Sequence, residues 1–483
     1  MACHLPADCL DEIFEYLEED KLTLHSCLLV NHLWCEISVR ILWRNIWNFK
    51  RLSRKRSLRV SSSILSTLVA CLPNESREIL YKNEIFLSTP TSKPPLFNYA
   101  SFCKVLSICR INIIVEDVLK NEPSSVNCLV TNEIIKMFMN QIYALKKLNY
   151  YCNQYTINLI NFSFTYFPGA KDLSELYCSS NLPSNFFHQL SQICHNLQSI
   201  SIDFHYDVSN GLKELIFLQN NLKDLTLSAF DYVSWENIIP AITKHSQTIT
   251  KLRLYSDNEL PFSFVGSFSN LQEFIFSFSD GSSFEDFKEL QYVNFSKLQI
   301  LKIPLQCPHP DYVKKFLEVN GKNLKKFYTD ENDKSLNLSI AKFCPNLTSL
   351  FIIFNKGEKD ILKTIFNNCQ HLESIKIWGG KEYLTEKEVF EIVVNHSPKS
   401  FCELKMYNSS VSDVFPKDLE SFFINWKKRI PKKLLNLIII KEFHFNMENI
   451  NIIEKYENLG VVKFEIKGYE EEEDDEEEVY SFL

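Results

Sequence analysis

"NLKDLTL", Asn221–Leu227, places leucines at Leu222, Leu225 and Leu227 with the polar Thr226 between the last two. That alternation predicts a short strand with one buried face. A single strand of this length cannot bury a core by itself, so its partners must lie elsewhere in the chain. The same Leu-x-x-apolar-x-apolar pattern recurs as "LQSISI" from Leu197, "ITKLRL" from Ile249, "LQEFIF" from Leu271 and "LQILKI" from Leu298. It returns as "LTSLFI" from Leu347, "LESIKI" from Leu372 and "LLNLII" from Leu434. Looser copies start at Leu145, Leu173, Leu324, Phe401 and Leu459, and "FCKVLSI" from Phe102 reads as a degenerate first copy. In a chain that is 45% apolar, such triplets also arise by chance, so the motif alone decides little.

The spacing decides more. Successive starts lie 22 to 29 residues apart, with one step of 33. This is the period of a leucine-rich repeat, roughly 20–29 residues. Asn precedes six of the thirteen starts, where its 41 occurrences in 483 residues predict about one. Cys194, Cys344 and Cys369 fall three residues ahead of their Leu. These positions resemble the cysteine-containing type of leucine-rich repeat. Helix-like stretches such as "WENIIPAITKHS", "DYVKKFLEVNGK", "DILKTIFNNC" and "EKEVFEIVVNHS" lie between the strands. One strand and one helix per repeat predict an α/β solenoid with parallel strands on the concave side and helices on the convex side.

Composition narrows the function classes. Ten Gly are few, and neither GxGxxG nor GxxxxGK[ST] occurs, so no phosphate-cradling loop is expected. The 15 Cys form no CxxC pair, which points to a reducing compartment, cytoplasm or nucleus, and away from a zinc site. No signal peptide and no 18-residue apolar run are visible, so no membrane role is expected. The net charge of −8 comes from "EEEEDDEEE", Glu470–Glu478; without those nine acids the body carries +1. An acidic run of this kind is expected to be a solvated, disordered tail over 469–483. "KRLSRKRSLR", 50–59, has six basic residues but no aromatic for base stacking, which argues against nucleic acid.

The first fifty residues predict three short helices. Pro6 suits a first helical position, and Leu10, Ile13, Phe14 and Leu17 form one stripe. Thr23 can cap a second helix, and "LVNHLWCEISVRILW", Leu29–Trp43, forms a third. Trp34 and Trp43 are nine residues apart, about 900° at ~100° per residue, and so face opposite sides. A helix apolar on both sides needs cover on both. Three short helices cannot hide this many large apolar residues, which predicts a covering surface from another polypeptide.

These residues resemble an F-box. Leu5-Pro6, Leu10, Ile13-Phe14, Leu17, Leu22, Leu24, Leu28, Val30, Trp34 and Leu42-Trp43 match in order and spacing. Leu33 departs, since the family usually carries Lys or Arg there. The resemblance implies a substrate-recruiting subunit that docks on the Skp adaptor, and through it the cullin, of a ubiquitin ligase. It implies adaptor contacts at Leu5, Pro6, Leu10, Ile13, Phe14, Leu24, Leu28, Val30, Trp34 and Trp43, with the Trp43 side facing the adaptor. Ubiquitin chemistry then belongs to other subunits, so this chain is expected to be non-catalytic and to need no cofactor or metal. The rival readings are a repeat scaffold outside ubiquitination and an enzyme with an unrecognised site.

The expected organisation is therefore an F-box over 1–49, a basic and partly helical linker over 50–98, about thirteen repeats over 99–468, and the tail. Side chains between the inward apolar positions of each strand point out of the concave face. In the second half these include Arg253, Tyr255, Lys302, Tyr328, Phe351, Lys376, Trp378 and Tyr407, alongside Lys251, Lys326 and Lys405. Exposed aromatics beside cations predict a protein-target surface favouring an acidic or phosphorylated segment. The acidic tail is a candidate pseudo-substrate for that surface. No HExxH or GxSxG is present, and the 11 His are dispersed.

Overall fold

A computed structural model describes residues 5–47, 54–89, 94–151, 167–205, 208–230, 233–257, 260–278, 285–380, 382–408, 415–440 and 447–468. The acidic tail and the start of the basic run lie outside the described residues. The chain falls into two compact units, 1–222 and 223–483.

Fourteen strands lie among the described residues. The first unit holds β1 (Val105–Ser107), β2 (Lys147–Tyr150), β3 (Glu175–Ser179) and β4 (Ser199–Phe204). The second holds β5 (Asp224–Ala229), β6 (Lys251–Ser256), β7 (Glu273–Phe278), β8 (Ile300–Ile303) and β9 (Lys326–Thr329). It continues with β10 (Ser349–Ile352), β11 (Ser374–Gly379), β12 (Glu403–Asn408), β13 (Leu435–Ile440) and β14 (Val462–Lys467). Within each unit neighbouring strands pair in parallel and in chain order. From β2 to β12 each strand begins two residues after a predicted start. Equivalent positions pair, so that Leu225, Leu252, Phe274, Leu301, Phe327, Leu350, Ile375 and Leu404 form one buried row. The degenerate copy from Phe102 supplies β1. The architecture is an α/β leucine-rich-repeat solenoid.

Between strands, one carbonyl repeatedly accepts two N–H groups from the next repeat. Lys223 O takes those of Thr250 and Lys251 at 2.8 and 3.0 Å, and Thr250 O takes those of Gln272 and Glu273 at the same distances. Two of the asparagines flagged by the sequence tie neighbouring repeats together. Asn270 Nδ2 donates to Gln247 O at 2.7 Å, and Asn346 Nδ2 to Lys322 O at 2.8 Å, each reaching the preceding repeat's turn. Cys369 Sγ donates to Cys344 O at 3.3 Å, again one repeat back.

The helices follow the predicted stretches, though "WENIIPAITKHS" yields only a 3-10 turn, Glu236–Ile238, and a short helix, Ile239–Thr243. Phe accounts for much of the second unit's interior. The Phe262 ring lies 5.0 Å from Phe276 and 5.8 Å from Phe274, and Phe276 lies 5.5 Å from Phe287. One fully buried amide ties this interior together. Asn320 Oδ1 accepts Phe295 N–H at 2.7 Å, and its Nδ2 donates to Val293 O at 2.9 Å. Asn320→Leu leaves a buried N–H and C=O without partners, and is expected to destabilise the second unit by about 2–3 kcal/mol in urea unfolding.

The last predicted starts need correction. Leu434 and Leu459 are about half exposed, and Leu435, Val461 and Val462 are buried instead. The helix Met447–Asn458 ends in a left-handed Gly460 (φ 65°), with Val461 N–H bonded to Tyr456 O at 3.0 Å and Gly460 N–H to Glu457 O at 2.8 Å. This helix-ending hydrogen-bond pair draws Leu459 into the helix cap and starts the strand later.

In the first unit, α1 (Ala7–Glu15), α2 (Lys21–Cys27) and α3 (His32–Leu42) precede the strands. Asp20 accepts Thr23 N–H at 3.0 Å, and Asn31 accepts Trp34 N–H at 2.9 Å, capping α2 and α3. The predicted linker is more ordered than its composition suggests. It forms α4 (Arg54–Cys71), which takes in the latter part of the basic run, and α5 (Asn74–Lys82). α4 packs on α6 (Ile108–Val118) and α5 on α7 (Ser124–Gln141), and Leu65, Leu68, Leu72 and Leu80 are buried.

Candidate functional site

The N-terminal helices are joined to the first strand by the same carbonyl device that links the repeats. Arg44 O accepts Lys104 N–H at 2.9 Å and Val105 N–H at 3.1 Å, as Lys104 O accepts Lys146 and Lys147. Trp47 Nε1 donates to Val105 O at 2.6 Å, and its ring meets Phe138 at 5.8 Å. The Arg44 side chain pairs with both carboxylate oxygens of Glu15, which holds the Glu15 carboxyl below its usual range. The helical module thus occupies the position of a preceding repeat.

The residues expected to face an adaptor fall into buried and exposed groups. Leu10, Phe14 and Leu24 are buried with Cys27, Ile37 and Ile41 in the module's own core, and Trp34 packs on Phe14 at 5.0 Å. Trp43 is half-buried against the chain's own Tyr99, ring centroids 4.6 Å apart, so the second side of α3 is partly covered from within. Leu28 is half-buried, while Leu5, Pro6, Ile13 and Val30 remain exposed. The uncovered apolar residues overlap the expected set at Leu5, Ile13 and Val30 and add four others. Tyr16, Leu22 and Leu29 are 91%, 82% and 89% exposed, and Leu5, Ile13, Val30 and Leu33 are more than a third exposed. They sit on and just before α1, on α2, in the turn into α3 and in the first turn of α3. The expected adaptor contacts left out Tyr16, Leu22, Leu29 and Leu33, because the helical stripe marks core positions and not what the core leaves out.

On the strand face of the second unit, the predicted target residues separate into two groups. Arg253 is 7% exposed; its guanidinium reaches Asp224 on β5 at 2.8 Å and Glu273 on β7 at 2.9 Å. Tyr255 is buried with Ile275 against Phe230. Both belong to a sealed patch, because carboxylates on the flanking strands neutralise the buried cation. Arg253→Ala strands two largely buried carboxylates and is expected to cost about 2–3 kcal/mol, with Asp224→Asn/Glu273→Gln restoring much of it in thermal unfolding.

The other six come together. Tyr328 and Phe351 lie 6.4 Å apart, Phe351 and Tyr407 6.0 Å, and Trp378 stacks on Tyr407 at 4.9 Å and 18°. Lys302 Nζ sits 5.0 Å over the Tyr328 ring. Lys376 Nζ lies between the Phe351 and Tyr407 rings, at 5.1 and 4.6 Å. Beside this cluster is a recess of about 330 Å³ spanning β9 to β12. Register pairs Lys326 with Ser349 and Ser349 with Ser374, then Ser374 with Glu403. Two small residues in succession, between two long ones, open the recess. Tyr328, Lys376 and Lys405 border it. The serines were visible in the sequence, but their adjacency depends on register.

The strand face of the first unit carries a separate titratable cluster. Asp203 on β4 is 8% exposed, and burial pushes its carboxyl up to about 7 against the opposing bond from Tyr151. Tyr151 stacks on Tyr177 at 5.7 Å. Burial also raises the Tyr177 hydroxyl, with the nearby Asp203 carboxylate adding to it. Among the described residues no group of three potential metal ligands assembles, and no helix is long and apolar enough to cross a membrane. Both units present parallel strands on a repeat scaffold, the architecture that protein-interaction surfaces use.

No family model matches this chain, and no curated protein matches it. Solved structures similar to it include the leucine-rich repeat-containing protein LegL7 of Legionella pneumophila, at 14% identity, 58% of this chain and 98% of that chain, TM-score 0.38. They also include the Rad7 and Elc1 complex in yeast, at 12% identity, 84% of this chain and 86% of that one, TM-score 0.36. An internalin of Listeria monocytogenes follows at 11% identity, 73% and 92% coverage, TM-score 0.33. The fold itself stands on the strand pairing within each unit.

Proposed function

We propose that this chain is a non-catalytic, substrate-recruiting subunit of a Skp–cullin–F-box ubiquitin ligase. The N-terminal helices bind the Skp adaptor, and the strand face of the second unit binds a protein target. The observation that carries this reading is the exposed apolar set on α1, α2 and the turn into α3, attached to a module whose sequence resembles an F-box. Each large apolar side chain left in water forgoes roughly 1.5–3 kcal/mol of burial, so a partner surface there is strongly favoured. Anchoring through Arg44 O and Trp47 fixes the module's orientation on the first repeats, so an adaptor bound to it would be held in a defined pose. The chain's contribution to ubiquitin transfer is then proximity and orientation.

Co-expression with a Skp adaptor and cullin should yield a single complex in size-exclusion chromatography. Its absence, with the chain folded, would leave a repeat scaffold outside ubiquitination.

A further inference from the structure

We propose that the loop between the helix Pro416–Lys427 and β13 rests on an anionic membrane surface. Ile430 enters the bilayer interface, and the lysines around it meet the lipid headgroups.

The loop reads "KKRIPKKL", Lys427–Leu434, with five cations, no acid and Ile430 near its centre. Three apolar side chains stand in water at this corner of the second unit. Ile430 is 86% exposed, and Leu434 and Leu459 are 49% and 52% exposed. Leu435 N–H donates to Val461 O at 3.1 Å, so the turn that carries Leu459 lies beside Leu434. Scattered apolar side chains on a surface are ordinary, but Ile430 is held out by its neighbours.

That hold is visible on both sides of it. The Arg429 guanidinium donates to Ser397 O at 2.7 Å and Pro398 O at 3.1 Å, one repeat back, and lies 4.4 Å over the Trp426 ring. Trp426 Nε1 donates to Lys433 O at 2.9 Å and closes the base of the loop. With the chain fastened before and after Ile430, little freedom is lost when a surface covers that side chain.

Charge selects the surface. Lys427, Lys428, Lys432 and Lys433 are exposed around Ile430, and Lys399 adds a fifth ammonium from the turn that Arg429 grips. Lys433 Nζ donates to Ser400 O at 2.8 Å, while the other four pair with no carboxylate among the described residues. Each lysine near an anionic bilayer strengthens binding about fivefold. A soluble polyanion would satisfy the lysines and leave Ile430 in water. Trp426, the ring at the base of the loop, is buried and offers no face for a nucleic-acid base. The boundary between headgroups and acyl chains takes both parts, the apolar tip below and the cations above. Lying on a bilayer in this way needs no spanning helix.

The test is sedimentation of the full chain with vesicles of phosphatidylcholine alone and of phosphatidylcholine and phosphatidylserine in equal parts. The mixed vesicles should bind at least tenfold tighter, with affinity falling as salt rises. Ile430→Ser removes the tip without changing charge, and Lys427→Ala/Lys428→Ala/Lys432→Ala removes three cations. Each should weaken binding to the mixed vesicles at least fivefold at an unchanged melting temperature, since all four side chains are exposed. Equal binding to both kinds of vesicle, no binding to either, or wild-type binding by either variant would overturn the proposal. Wild-type binding by Ile430→Ser with the lysine variant impaired would point instead to a soluble acidic partner.

Discussion

Replacing Leu22, Leu29 and Val30 together with serine is expected to abolish adaptor binding while leaving the fold intact. The three side chains are largely exposed and lie on α2 and the turn that follows it. Exposed substitutions of this kind usually move stability by less than about 0.5 kcal/mol each, so the melting temperature should hold. Burial against a partner makes them anchors, and losing three should weaken binding at least 100-fold, about 3 kcal/mol or more. Adaptor capture by titration calorimetry is the measurement, and undiminished affinity in the triple variant would exclude this face. Trp34 and Trp43 are poor probes by comparison. Trp34 packs on Phe14 and Trp43 on Tyr99, so truncating either weakens the module itself, and lost binding would then follow from lost structure.

Asp203→Asn is expected to remove a pH dependence from the first unit. The folded carboxyl titrates at about 7, against roughly 3.9 for an exposed aspartate. Between these values the folded chain holds a proton that the unfolded chain releases. This group therefore lowers stability as pH rises from about 4 to about 7, by roughly 3–4 kcal/mol in all, and adds no further change above that. Asparagine keeps an oxygen for the Tyr151 hydroxyl and never ionises. Urea unfolding of wild type and variant at pH 5 and pH 8 should show the variant gaining about 2–3 kcal/mol relative to wild type over that interval. Parallel stability curves for the two proteins would show that Asp203 stays ionised in the fold.

The repeat register was legible because it is a local, periodic property. From β2 to β12 the thirteen-start pattern locates every strand, and the buried row from Leu225 to Leu404 is readable one repeat at a time. The pattern slipped by one residue at Leu434 and failed at Leu459, where a glycine-terminated helix competes for the same residues. It also gave the linker too little structure. The apolar spacing of α4 is diluted by serines and basic residues, and its cover comes from α6 and the turn Tyr99–Phe102, later in the chain.

Sequence by itself therefore determined the repeat, its period, the inward positions, and the excess of apolar residues in the first fifty. Only tertiary structure decided which of those residues stay uncovered. Trp43 found Tyr99, 56 residues later, and Leu10, Phe14 and Leu24 found one another, which left Leu22, Leu29 and their neighbours in water. Likewise Arg253 and Lys376 read alike in sequence, each a cation at the same position of a strand. Carboxylates on both flanking strands neutralise Arg253 within the fold, whereas aromatic rings hold Lys376 beside an open recess. The physical reason is that periodicity fixes which way a side chain points, while its partners are set by residues one repeat or more away that only the folded sheet brings into register.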